Sequence, residues 1–277
     1  MERREDGRDW AYRVDPYGFE RPEDFDYASY EAFFSRYLVV LTRRAIKWSK
    51  LLKGNNSIRK SLKVKRYIRK GIPNEHRALI WMIVSGAQTN MEQNPGYYHR
   101  LLEGKKNDKL VEAIKTDMNR TFPDNVKFRK TADPCLQHTL YNVLVAYGHH
   151  NKAVGYCQGM NFIAGYLILI TKKEEESFWL LDALIGRILP DYYSPAMLGL
   201  KTDQEVLGEL VKMKVPAVAE LMERHGVMWT LVVSRWFICL FIDILPVEKI
   251  FTDPGSLSMA TINKLRETCR EKVLSQG

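Results

Sequence analysis

Cysteine is scarce in this 277-residue sequence, and its four residues, Cys135, Cys157, Cys239 and Cys269, lie far apart. There is no CxxC pair and no Cys/His ligand spacing, which argues against a disulfide framework and against a metal site. A reducing cytosolic setting is the expectation. Long charge-free apolar runs are also lacking. Of two apolar stretches, 153–170 holds Gln158, Asn161 and three glycines, and 227–245 holds Arg235 and Asp243. A membrane span needs about 20 mostly apolar residues and tolerates central charge poorly. Both stretches are therefore expected as buried helices of a helical core. Met1 to Asp6 is mostly charged, without an apolar h-region, so no secretory signal is expected. Alternating β-branched runs are missing, as is any internal repeat. GxxxxGK(S/T), HExxH, GxSxG and the Rossmann glycine pattern are absent too. Those absences exclude the matching nucleotide, metalloprotease, hydrolase and dinucleotide chemistries.

What is present is ordinary globular material. Apolar residues make up 45% and charged residues 27%, which excludes whole-chain disorder. The length allows one or two domains with a sizeable core. The net charge of +9 is local. Residues 1–35 hold five Arg against ten Asp/Glu, and residues 36–70 hold thirteen Lys/Arg and no acid. The rest is nearly neutral. A nucleic-acid surface would spread its cations over a working face with a recognisable motif. None is found, and no nucleic acid is expected.

Most apolar patterns have the helical period. Phe34, Tyr37, Leu38, Leu41, Ala45, Trp48 and Leu52 form one stripe, with Arg36, Arg43, Lys47 and Lys50 mostly on the other side. The favoured reading is a helix docked by its stripe with a solvated basic face. The alternative is contact of residues 36–70 with an anionic membrane. Pro73 is expected at the first position of a helix to Ser85. Further helices are expected from Tyr97, at 110–119, and at 136–147, where Gly148 would end the helix. Others are expected at 160–170, 174–188, 203–212, 216–225, 232–244 and 257–273. The fold class is all-α.

Two features invite a chemical reading. Asp117 and Arg120 lie three apart where Pro123 must stop a helix. Such a pair reads first as an exposed ion pair worth about 0.2–0.5 kcal/mol. It also reads as an arginine held out for use, its guanidinium fixed by Asp117. Gln158 sits between Gly155 and Gly159 at the start of an apolar helix. It satisfies buried backbone groups, or it presents an amide that can orient a water. Cys157 with His138, His149 or His150 as a nucleophile and base has no support in spacing.

Three motifs fall in order. They are Gly71-Ile72-Pro73 with Arg77 and Trp81, then Ile114-x-x-Asp117-x-x-Arg120 with Thr121-Phe122-Pro123, then Tyr156-Cys157-Gln158-Gly159. The sequence thereby resembles the TBC family of GTPase-activating proteins for Rab small GTPases. The resemblance implies a multi-helical Rab-GAP domain. Arg120 would be its arginine finger and Gln158 its glutamine finger. Asp117 would orient Arg120, and Tyr156 and Gly159 would shape the turn carrying Gln158. Gly71, Pro73, Arg77 and Trp81 would be structural. The partner would be a Rab-family GTPase that carries the GTP and magnesium. This chain would need no cofactor and would be an activator rather than a hydrolase. A cytoplasmic, endomembrane-associated role in vesicle trafficking is implied with it.

The division expected is an acidic-then-basic lead-in at 1–70, the TBC domain at 71–249 and an amphipathic tail at 250–277. The resemblance departs near Val247, where the family's later Trp-Asp helix is missing. The domain is therefore expected to be incomplete at its C-terminal part, as in a splice variant, leaving an uncovered apolar face.

Overall fold

In the computed structural model, residues 13–53, 58, 61–105, 107–242, 244 and 259–275 are described. The lead-in is α1 (Tyr27–Lys53) and α2 (Leu62–Arg69), followed by α3 (Asn74–Ser85), α4 (Ala87–Gln93) and α5 (Tyr97–Glu103). Then come α6 (Asp108–Met118), α7 (Leu136–His150), α8 (Met160–Thr171) and α9 (Glu174–Asp182). The last described helices are α10 (Leu198–Lys214), α11 (Pro216–Arg224), α12 (Trp229–Ile238) and α13 (Met259–Ser275). No sheet forms among the described residues, where extended pairing is limited to the isolated bridges Val14–Glu20 and Phe19–Asn125. The all-α expectation holds.

The core is built around α8, which is buried at every residue from Met160 to Thr171. A helix apolar on all sides must be enclosed, and α7, α9, α3 and α6 enclose it. Residues 160–170 of the apolar stretch are therefore the buried helix the sequence predicts, and 153–159 form the turn before it. Among the described helices none is long and apolar enough to cross a membrane. A smaller core lies under the lead-in. Trp48 of α1 packs there with Ile72 and Ile80, and its indole Nε1 donates to the Gly71 carbonyl at 3.1 Å. The basic stretch is thus docked through the C-terminal half of α1, while Leu38 in the expected stripe stays exposed.

Four local expectations are corrected. Gly148 does not end α7, which runs to His150. The glycine allows close approach instead: a Cβ there would lie 2.6 Å from Leu110 Cδ1. Pro73 caps α3 from outside the helix, with ψ at 145°. The helix expected over 174–188 is α-helical only to Asp182 and continues as a π turn, Ala183–Ile188. The stretch expected as a second buried helix, 227–245, forms α12, in which Val233 is the one buried residue. Leu231 is 73% exposed, because no described element covers that face. Residue 243 of the helix expected at 232–244, and residues 257–258 of the helix expected at 257–273, lie outside the described residues.

The helix at the C-terminal end lies along α10. Arg266 pairs with Asp203 at 2.7 Å, Arg270 with Asp191 at 2.5 Å and Lys272 with Glu205 at 2.6 Å.

Candidate functional site

The site begins at the end of α6. Asn107 caps the helix start by accepting from the Leu110 N–H at 3.2 Å. The helix stops at Met118 because Pro123 disfavours helical geometry before it, and Phe122 takes φ of +51°. Arg120 therefore lies in the turn beyond the helix. A bond of 3.3 Å from its N–H to the Asp117 carbonyl keeps the two residues adjacent. Their side chains differ sharply in exposure, 51% for Arg120 and 4% for Asp117.

Asp117 is shared. Arg120 Nε donates to Asp117 Oδ1 at 2.6 Å, and the guanidinium also meets that oxygen through Nη2. Tyr156 donates its hydroxyl to the other oxygen, Oδ2. Burial, and next the bond to Asp117, push the Tyr156 phenol far above its usual value, so it remains a protonated donor. The carboxylate thus restrains the arginine on one side and the turn before Gln158 on the other.

A second connection runs through the backbone. Thr121 Oγ1 donates to the Asp117 carbonyl at 2.7 Å, and Asn161 Nδ2 donates to Thr121 Oγ1 at 2.9 Å. Asn161 Oδ1 then accepts from the Gly159 N–H at 3.0 Å. Thr121 and Asn161 are both buried. Sequence reasoning assigned neither a role. The available signal was an amide opening an otherwise apolar helix, which must find polar partners once buried.

Gly159 has φ of +108°, and a Cβ there would meet the Ile238 side chain at 3.1 Å and its carbonyl at 3.2 Å. Only glycine suits both the angle and the space. Gln158 is exposed beside it, its side-chain amide without a partner among the described residues. Burial, and next the Asp117 charge, push the Cys157 thiol up. His138, His149 and His150 bond elsewhere, to Asn142, to Leu101 and Asn107, and to Tyr97 and Asp182. Among the described residues nothing activates Cys157 as a nucleophile.

Asp117, Arg120, Tyr156, Gln158 and Gly159 are thus brought together. Gly71, Pro73, Arg77 and Trp81 are not part of that cluster. Arg77 is buried, donating from Nε to the Ile72 carbonyl at 3.1 Å and from Nη1 to the Tyr17 hydroxyl at 2.5 Å. Gly71 accepts from Trp48, and Trp81 packs against both cores. These residues hold the start of α3.

A family model, the Rab-GTPase-TBC domain, matches residues 74–252. The chain belongs to this family. Growth hormone-regulated TBC protein 1 of Homo sapiens is 62% identical over 327 residues, covering 96% of this chain and 97% of that protein. The protein of that name from Xenopus laevis is 70% identical over 332 residues, covering 97% of each chain. The Chlamydomonas flagellar RabGAP TBC domain superposes with a TM-score of 0.73 at 29% identity, covering 86% of this chain and 78% of that one. The Ypt/Rab-GAP domain of Gyp1p, at 19% identity and a TM-score of 0.63, shares the fold, covering 83% of this chain and 80% of that one. This TBC chain is also short for its alignment. The human alignment has 327 positions against 277 residues here, so at least 50, the difference, are unmatched in this chain.

Proposed function

We propose that this chain is a GTPase-activating protein for a Rab-family small GTPase, with Arg120 and Gln158 supplied in trans. The observation that carries the reading is the shared Asp117, which ties Arg120 to the turn presenting Gln158. An arginine entering the GTPase site offsets charge on the transferring phosphoryl oxygens, an effect worth roughly 10³–10⁵ in rate. Fixing its guanidinium beforehand lowers the entropy cost of placing it. The Gln158 amide accepts from and donates to the attacking water, and so orients it. GTP and magnesium are carried by the partner, and this chain brings no cofactor. The setting is cytoplasmic, on vesicle traffic, with residues 36–70 facing an anionic membrane.

The test is single-turnover GTP hydrolysis across a panel of Rab proteins. Arg120→Ala should lower the stimulated rate by roughly 10³-fold or more, and Gln158→Ala should also lower it strongly. Binding to the Rab loaded with a non-hydrolysable nucleotide should survive both. Full stimulation by Arg120→Ala would refute the reading.

A second reading is a non-catalytic isoform that holds a GTPase or a partner without accelerating hydrolysis. The uncovered face of α12 and the shortfall of at least 50 alignment positions, 327 against 277 residues, favour it. It expects binding with no change in rate and indifference to Arg120→Ala.

A further inference from the structure

Where α1 crosses α2 there is a cleft of about 430 Å³, within the range of small-ligand sites. Five cations line it: Arg43, Arg44 and Lys47 from α1, Arg66 from α2, and Lys70 just beyond it. No acidic residue occurs anywhere in 36–70. Arg43, Lys47, Arg66 and Lys70 form no ion pair among the described residues. Arg44 is held in place by donating to the Tyr37 hydroxyl at 2.8 Å. The floor is rigid, with Trp48 edge-on to Tyr67 at 5.9 Å and tethered to the Gly71 carbonyl. Gly71 keeps the cleft open, since a Cβ there would lie 2.8 Å from Arg44 Nη1. Five like charges around one concavity repel one another and raise the local potential, which a compact polyanion relieves.

We propose that this cleft binds a small, multiply phosphorylated head group. The surroundings favour a lipid as its source. Val39, Val40 and Ile46 are 39–50% exposed on the turns of α1 that carry Arg43 and Lys47, and Leu62 is 87% exposed at the start of α2. Apolar side chains beside a cationic cleft suit an anionic lipid surface. A single-stranded nucleic acid would use free aromatic faces for stacking, whereas Trp48 is buried. The inference deepens the membrane contact proposed for residues 36–70, and it rests on that contact only in its lipid form.

The experiment uses the full chain in two arms. One measures flotation with phosphatidylcholine vesicles containing phosphatidylinositol bisphosphate, against charge-matched phosphatidylserine vesicles. The other titrates soluble inositol hexakisphosphate by calorimetry. The cleft variant is Arg43→Gln/Lys47→Gln/Arg66→Gln. Its control removes three cations of the same segment outside the cleft, Lys50→Gln/Lys63→Gln/Lys65→Gln. The cleft variant should bind the soluble anion about 100-fold more weakly, roughly fivefold per cation removed, and lose its preference for the bisphosphate lipid. The control should stay within about threefold of the parent on this scale. Circular dichroism checks folding, and the exposed single substitution Lys47→Gln gives a graded loss if the triple variant does not fold. Equal losses in the two triple variants overturn the cleft while leaving a diffuse membrane contact standing. No binding in either arm overturns both. Binding of the soluble anion alone supports the cleft and assigns its ligand to solution.

Discussion

Asp117 is a buried carboxylate with two different customers for its oxygens, the Arg120 guanidinium on Oδ1 and the Tyr156 hydroxyl on Oδ2. Asp117 is buried whereas Arg120 is half-exposed, so losing the carboxylate charge frees the guanidinium to wander in solvent. Asp117→Asn keeps the shape and removes the charge. A hydrogen bond to a charged group contributes about 1.5–3 kcal/mol, so the stimulated rate should fall roughly 10- to 150-fold while Rab affinity stays nearly constant. Tyr156→Phe should cost less, on the order of tenfold, as expected for one bond to a charged group at the lower end of that range, about 1.5 kcal/mol, with the Arg120 bond kept. The two should combine less than additively, because they act through one carboxylate. Single-turnover kinetics on the four members of the cycle check this. Strict additivity would mean that the carboxylate does not couple the two sides. The Asp117–Arg120 neighbourhood was legible in the sequence, since residues three apart meet at a helix end. The Tyr156 contact was not, because it spans 39 residues and spacing carries no information about tertiary juxtaposition. Thr121 and Asn161 escaped for the same reason.

At the scale of elements, two helical glycines should respond with opposite signs. Gly165 in α8 faces Phe122, with a Cβ placed 2.8 Å from its ring. Phe122 is fully buried and has ring neighbours in Phe19, Phe128 and Phe162, so it has nowhere to move. Gly165→Ala gains about 1 kcal/mol in helix propensity and loses about 1–3 kcal/mol by overpacking. The expected result is no gain or a net loss in urea denaturation. Among the described residues Gly208 in α10 has only Trp229 near its would-be Cβ, at an ordinary 3.9 Å. Gly208→Ala should therefore stabilise by about 0.5–1 kcal/mol. A stabilising Gly165→Ala would mean that the Phe122 cluster yields more readily than its packing implies. Helical period alone revealed α8 and α6 to within a residue or two. It misread Gly148, because a glycine that admits a neighbouring side chain and one that ends a helix look alike in sequence. The apolar pattern alone did not reveal that α12 would be exposed, since it states what a helix needs and not whether a partner is present; the warning came from the family's missing Trp-Asp helix.

For the whole molecule the exposed helix and the candidate site are one problem. The face of α12 bears exposed Leu231 and Val232, and exposed Met213, Val215, Val218 and Leu221 lie on the preceding helices α10 and α11 and the join between them. At its other end α12 touches the site. Ile238 forms the wall against Gly159, and its carbonyl accepts the Tyr193 hydroxyl at 2.8 Å. The position of α12 therefore sets the position of the turn that presents Gln158. A shift of about 1 Å at reacting groups can cost roughly 100-fold in rate. The human relative has at least 50 residues that this chain does not match, 327 aligned positions against 277 residues, and the family pattern breaks near Val247, just beyond α12. Inserting into this chain the residues that the human relative has and it lacks should anchor α12 and with it Gln158. The stimulated kcat/KM for a responsive Rab should rise roughly 10- to 100-fold, the melting temperature should rise, and binding of an apolar dye to the free chain should fall. If dye binding falls and the rate does not change, covering α12 is not what positions Gln158.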